Sequence, residues 1–254
     1  MSDAMSVATF RFYGELNDFL MPAQRQTDFT RTFQEPVSVK HLIEALGVPH
    51  TEVDGILANG HPTDFHHLAA DGDRFAIYPT FTSLDAPSWP RLRPPLPRPP
   101  CFILDGHLGR LATYLRLLGF DTRYENDSDD ADLAQLAGAE QRVLVTRDQG
   151  LLMRKIVTYG CCLWSRDPRQ QLLTVLRRFQ LTADVRPWRR CLRCNGLLHP
   201  VDKAAVLPRL QPKTRLYYEE FHQCQACGHI YWKGSHYGAL QAFIADVLAQ
   251  AARA

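Results

Sequence analysis

Two kinds of side chain in this 254-residue chain are spaced for chemistry, and the first is cysteine. Cys191-x-x-Cys194 in "RCLRCNG" and Cys224-x-x-Cys227 in "HQCQACG" stand with 29 residues between the pairs. Two such knuckles offer four thiolates to one tetrahedral zinc ion, and the glycines that follow them, Gly196 and Gly228, let each knuckle fold tightly. Four thiolates leave no coordination position open, so the expected zinc is structural. A redox pair or a disulfide is the competing reading, and a reducing compartment disfavours it. Cys101, Cys161 and Cys162 lie in apolar, strand-like contexts and are expected in the core.

The second kind is aspartate. Asp105 ends the apolar run Phe102-Ile103-Leu104, Asp148 follows "RVLVTR", and Asp167 follows "CCLWSR". Asp127, Asp129, Asp130 and Asp132 cluster after "DTRY". In an open parallel sheet, ligands gather beyond the carboxyl ends of the strands, where such loops converge. Carboxylates brought together there raise one another's pKa unless a cation sits between them. Magnesium or manganese is the hard, oxygen-seeking answer, and it can activate water against a phosphodiester. The plainer reading makes each aspartate a helix cap or turn former. It fits Asp167 well, directly before Pro168, and one of Asp129 and Asp130 is expected to cap the next helix. Gly106 and Gly109 are expected to leave the backbone open around Asp105.

These residues must be positioned by a βα alternation. Phe102–Leu104 reads as a buried strand, and Leu108, Leu111, Ala112, Leu115 and Leu118 form a helical apolar face ended by Gly119. Further strands are expected at "DTRY", "RVLVT" and "CCLWS", with helices after the acidic turn, after Asp148 and over "PRQQLLTVLRRFQ". Repeated βα implies a mainly parallel sheet flanked by helices. The last stretch, "ALQAFIADVLAQAA", reads as an amphipathic helix that docks on the protein or on a partner.

The texture before Asp85 is different. "VATFRFY" alternates as a half-buried strand does, "SVKHLIEALG" carries an apolar helical face with Ser38 as N-cap, and "GILANG" and "DGDRFAIYP" supply turns and strands. The order of hairpin, helix and strands resembles the ubiquitin-like β-grasp fold, in particular the small sulfur-carrier proteins, over residues 5 to 82. Those carriers act through a free C-terminal Gly-Gly, whereas Pro79-Thr80-Phe81 runs on into "DAPSWPRLRPPLPRPP". An interaction module with a protein partner is therefore expected. The proline-rich run holds seven prolines in sixteen residues and reads as a semi-rigid spacer, or alternatively as a ligand for a proline-binding domain.

Charge divides the same way. Residues 1–90 carry 5 Lys/Arg against 12 Asp/Glu, and the remainder carry 24 against 15, so a polyanion would meet the second part. Around the cysteines, Arg186, Arg189, Arg190, Arg193, Lys213, Arg215 and Lys233 are interleaved with Trp188, Tyr217, Tyr218, Tyr231, Trp232 and Tyr237. Cations that track phosphates and rings that stack on unpaired bases suit single-stranded RNA, although rings also fill small cores. No apolar run approaches the roughly twenty residues of a membrane span. The N-terminus has neither a basic region nor a continuous apolar stretch, so a cytoplasmic protein without membrane association is expected.

Taken in order, "FILDGHLGRLATYLRLLGFDTRY", "DSDDADL", "RVLVTRDQGLL", "RQQLL", "RCLRCNGLL" and "YWKGSHY" resemble the Mut-seven-C RNase family, a PIN-like nuclease group, over residues 101 to about 238. The resemblance implies an α/β, PIN-like parallel sheet flanked by helices, with a C-terminal zinc ribbon and an N-terminal β-grasp (α+β) domain. It implies a divalent-metal-dependent ribonuclease whose acids are Asp105, Asp130 or its neighbour Asp129, and Asp148, with Asp105 and Asp148 on magnesium or manganese. Arg110, Arg116, Arg147 and His236 are the candidate RNA contacts. The expected domains are β-grasp 1–85, linker 86–100, nuclease 101–184, zinc ribbon 185–238 and a C-terminal helix 239–254. The alternative function is a non-catalytic RNA-binding adaptor that uses the ribbon and its arginine-rich surface.

Overall fold

The computed structural model describes residues 5–34, 36–79 and 90–253. The first strands and helix are β1 (Ser6–Phe12), β2 (Phe29–Phe33), α1 (Val39–Ala45), β3 (Val53–Ala58), β4 (His61–Thr63) and β5 (Arg74–Pro79). The βα alternation follows as β6 (Phe102–Leu104), α2 (Gly109–Leu117), β7 (Thr122–Tyr124), α3 (Asp130–Ala139), β8 (Val143–Thr146), α4 (Gln149–Leu152), β9 (Tyr159–Cys162) and α5 (Pro168–Arg178). The last part comprises β10 (Leu198–Val201), α6 (Lys203–Val206), α7 (Pro212–Tyr217), β11 (Phe221–Cys224), β12 (Ile230–Trp232) and α8 (Tyr237–Ala251). The chain divides into two compact units, Met1–Leu96 with Asp130–Cys162, and Pro97–Asp129 with Leu163–Ala254.

In the first unit, β1 pairs antiparallel with β2 and parallel with β5, and the five-stranded order β2-β1-β5-β3-β4 is that of a β-grasp sheet. Asn59 and Gly60 both take positive φ, so the two-residue turn matches the twist of β3 and β4. Ser38 caps α1 by accepting from the His41 amide at 3.3 Å, and Val39, Leu42 and Ile43 face the sheet. Phe10, Phe12 and Phe75 are almost fully buried there, each worth about 2 kcal/mol of apolar burial.

The same unit contains β8 and β9, a parallel pair buried along its whole length, with α3 and α4 packed beside it. Strands covered on both faces lose the apolar-polar alternation, which is why these read as continuous apolar runs. The turn His50–Glu52 sits on β9. Glu52 Oε1 accepts from the Cys162 amide at 2.7 Å, and Gly160 admits Thr51, whose Oγ1 would lie 2.8 Å from a Cβ at that glycine. Within the proline-rich run, Arg93, Pro94 and Pro95 are held against this unit. Arg93 donates to the carbonyls of Thr51 and Val53 and to Asp54, and the Tyr159 hydroxyl donates to the carbonyls of Pro94 and Pro95. Residues 80–89, where the rest of the expected linker and its boundary fall, lie outside the described residues.

In the second unit, β6 is fully buried and pairs in parallel with β7. Helix α2 packs on β7 and α5, and α5 carries α8, whose Ile244, Val247 and Ala251 are buried. The expected terminal amphipathic helix thus docks on its own chain. Asp167 caps α5 by accepting from the Arg169 amide, with Pro168 at the first helical position as expected. The cysteine region is an antiparallel sheet, β10-β11-β12, with α6 and α7 inserted between β10 and β11.

Candidate metal centre and acidic residues

The two knuckles fold alike. Asn195 donates its amide to the Cys191 carbonyl at 2.9 Å, Gly228 donates to the Cys224 carbonyl at 2.9 Å, and both take left-handed φ, +70° and +68°. A Cβ at Gly196 would lie 2.8 Å from Cys224 Sγ, so only glycine lets the knuckles close on each other. Cys191 Sγ lies 3.6 Å from Cys227 Sγ, Cys194 Sγ lies 3.4 Å from Cys224 Sγ, and the four donors are all within 4.8 Å of one another. A zinc–sulfur bond of about 2.3 Å in a tetrahedron requires sulfurs ~3.8 Å apart, so the donor set and its spacing fit a zinc ion.

The thiols already differ. Burial works against ionising Cys191, but the Tyr231 hydroxyl and the Cys194 and Arg193 amides outweigh it and lower its pKa to about 7. Cys194 is pushed up to about 12 by burial and by the neighbouring thiols, with the Gly196 amide opposing. Burial and the adjacent Cys191 raise Tyr231 in turn.

The first knuckle is anchored by residues whose role the sequence did not reveal. Arg116, expected on phosphate, is instead 5% exposed, and its guanidinium donates to the carbonyls of Thr122, Leu192 and Arg193 at 3.0, 3.2 and 3.1 Å. Burial lowers its pKa, while the Cys191 and Cys194 thiols and Asp121 pull it back up. Its position thus places a positive charge beside the thiolates. Asn195 accepts from the Thr122 amide and donates to Asp121, which also pairs with Arg190 at 3.1 Å. The signal for Arg116 was present: it stands beside Leu115 and four residues after Ala112, inside the apolar stripe of α2.

The aspartates are each placed by their own loop. Asp105 directly follows β6, is half-buried, and leads a short turn, Gly106–Leu108, that its side chain does not cap. Gly106 and Gly109 do not open space for substrate. A Cβ at Gly106 would lie 2.6 Å from the Asn126 carbonyl oxygen, and one at Gly109 would lie 2.8 Å from the Tyr124 hydroxyl, which donates to the Gly106 carbonyl. Asp129 immediately precedes α3, and Asp130 is its first residue. Asp148 caps α4: its Oδ1 accepts from the amides of Gly150 and Leu151 at 2.7 and 3.4 Å. Arg110 and Arg147 are exposed, each close in sequence to one of these acids, and His236 lies just before α8 in the ribbon region. Asp105 and Asp129 belong to the second unit, Asp130 and Asp148 to the first.

A family model described as the Mut7-C RNAse domain matches residues 100–244, and one described as Mut7-C ubiquitin matches residues 5–85. The search of curated proteins finds no match.

Proposed function

The chain belongs to the Mut7-C RNase family, with the family's ubiquitin-like domain in front, and from that premise we propose a divalent-metal-dependent ribonuclease of PIN-like type that hydrolyses RNA phosphodiester bonds. The observation that carries this reading is the match over residues 100–244, which spans Asp105, Asp129, Asp130 and Asp148. Asp105, Asp148 and Asp130 or its neighbour Asp129 would hold magnesium or manganese, whose ligands are carboxylate oxygens of this kind. The chemistry supplied by such an ion when bound is charge stabilisation at the phosphate and an easier deprotonation of water. Asp148 would enter such a site already held by its helix cap. With Oδ1 fixed by two backbone amides, the carboxylate is oriented before any ion arrives. Arg110 and Arg147 are exposed and would meet phosphate, whereas Arg116 is committed to the knuckle.

The cysteine quartet would hold a structural zinc ion, and four reduced thiolates suit the cytoplasm. Among the described residues, no helix is long and apolar enough to cross a membrane. The β-grasp domain would bind a protein partner. The caps made by Asp148 and Asp167 favour a second reading, an RNA-binding adaptor whose acids are purely structural. Cleavage of single-stranded RNA with manganese or magnesium, compared between wild type and Asp105→Asn, separates the two. The ribonuclease loses cleavage in the variant; the adaptor shows none in either protein, and its RNA affinity falls with salt but not with the substitution.

A further inference from the structure

The ribbon holds more aromatic surface than its core uses. The buried apolar cluster there consists of Val206, Leu210, Phe221 and Ile230. Tyr217 stays 71% exposed and Trp232 40% exposed, and both line a cavity of about 660 Å³ together with Trp188, Tyr231 and Tyr237. That volume falls within the roughly 300–1,000 Å³ of ligand pockets. Trp188 takes φ +65°, a conformation that glycine adopts freely and a bulky side chain rarely does, and its ring packs 4.8 Å from that of Tyr237. A large side chain held at a glycine-like position points to a use for the indole itself.

The charges around the cavity indicate what it takes. Arg190, Lys213 and Lys233 are in the lining with three histidines, His222, His229 and His236. Glu220 is the carboxylate of the lining, and Lys233 pairs with it at 2.6 Å. Lys213 is exposed and makes no ion pair among the described residues. Flat aromatic faces with unneutralised positive charge beside them are complementary to a base that is free to leave its neighbours and to the phosphates on either side of it.

We propose that this cavity is a binding site for an unpaired nucleobase of single-stranded RNA, with Trp188, Tyr217 and Trp232 stacking on bases and Lys213 on the flanking phosphate. The assignment rests on the RNA reading of the chain and locates where the ribbon grips the strand. It gives His236 a place in RNA contact at the ribbon cavity.

The test measures affinity of the zinc-loaded full chain for a ten-nucleotide oligoadenylate without added magnesium or manganese, so that binding is read apart from cleavage. Tyr217→Ala removes an exposed ring, and Trp188→Gly removes the indole at a φ that glycine tolerates, so both variants are expected to fold and keep zinc. Each should bind the oligonucleotide about tenfold more weakly. Lys213→Ala should reduce the slope of affinity against salt by about one phosphate contact. A fully paired RNA duplex of the same length should compete poorly. Equal affinity of wild type and both ring variants, or equal competition by the duplex, overturns the assignment and leaves the cavity to a protein partner. Manganese-dependent cleavage is assayed in parallel. If it persists while the ring variants bind normally, the pocket assignment fails and the ribonuclease reading stands; if wild type binds no RNA, the RNA reading fails with it.

Discussion

The β-grasp domain and the ribbon are small folds held in opposite ways. Sixteen buried apolar residues, from Ala8 to Ile77, form one cluster in the first, with four phenylalanines among them. The ribbon's apolar cluster, among the described residues, has four, and much of its aromatic surface faces outward. A fold that cannot bury enough apolar surface needs a staple, and in the ribbon the four sulfurs converge where a core would be. From this difference the ribbon is expected to need a bound metal to stay folded, and the β-grasp domain is not.

The sharpest way to break that contrast is to remove the metal. Chelation, or Cys224→Ser, should unfold the ribbon, read as loss of amide protection from Cys191 to Trp232, while β1 to β5 keep theirs. In zinc-finger peptides the metal contributes about 10–16 kcal/mol, so the effect should be all-or-none. Because Cys194 holds its proton to about 12 in the metal-free protein, binding must displace that proton at neutral pH. Zinc affinity should therefore weaken as the pH falls. Protection of the ribbon that survives full removal of metal would erase the contrast.

A smaller effect is expected at Arg116. Substitution by methionine keeps much of the side chain's bulk but leaves the carbonyls of Thr122, Leu192 and Arg193 without their donor and the thiolates without their neighbouring cation. The cost should be about 3 kcal/mol, with faster zinc release to a chelator. Unchanged release would show that the knuckle needs no anchor.

The smallest belongs to Asp73 in the β-grasp domain. Burial works to raise its pKa, but hydrogen bonds from the Ala70 amide, Asn59 and His67 prevail and lower it. A folded pKa below the unfolded value means that this stability is present above about pH 4 and is lost as the pH falls through the depressed value. Asp73→Asn should cost about 1–2 kcal/mol at pH 7 and much less near pH 2, by denaturant unfolding. The zinc content should not change.

What could be read from the sequence was local. A knuckle is a turn of a few residues, so the cysteine spacing, Gly196 and Gly228 announced it, just as "GILANG" announced a turn and Ser38 a helix start. What could not be read was brought in from a distance. The reason for Gly106 is a carbonyl at Asn126, Gly160 is filled by Thr51, and Glu52 meets an amide 110 residues later. The aspartates stand between these cases. Their places at strand ends followed from the βα pattern, and Asp148 proves to be a cap, but chemistry at a shared ion depends on partners that no local spacing encodes.

The proposed activity is cleavage of RNA with a divalent ion held by Asp105 and its fellow acids. The direct test is cleavage of single-stranded RNA by the zinc-loaded protein with and without manganese, in wild type and Asp105→Asn. The expected result is manganese-dependent cleavage by wild type, at least a roughly hundredfold loss in the variant on the scale of removing a charge-stabilising group, and equal zinc in both. Cleavage that persists in the variant, or that is absent from a zinc-loaded and folded wild type, would contradict it.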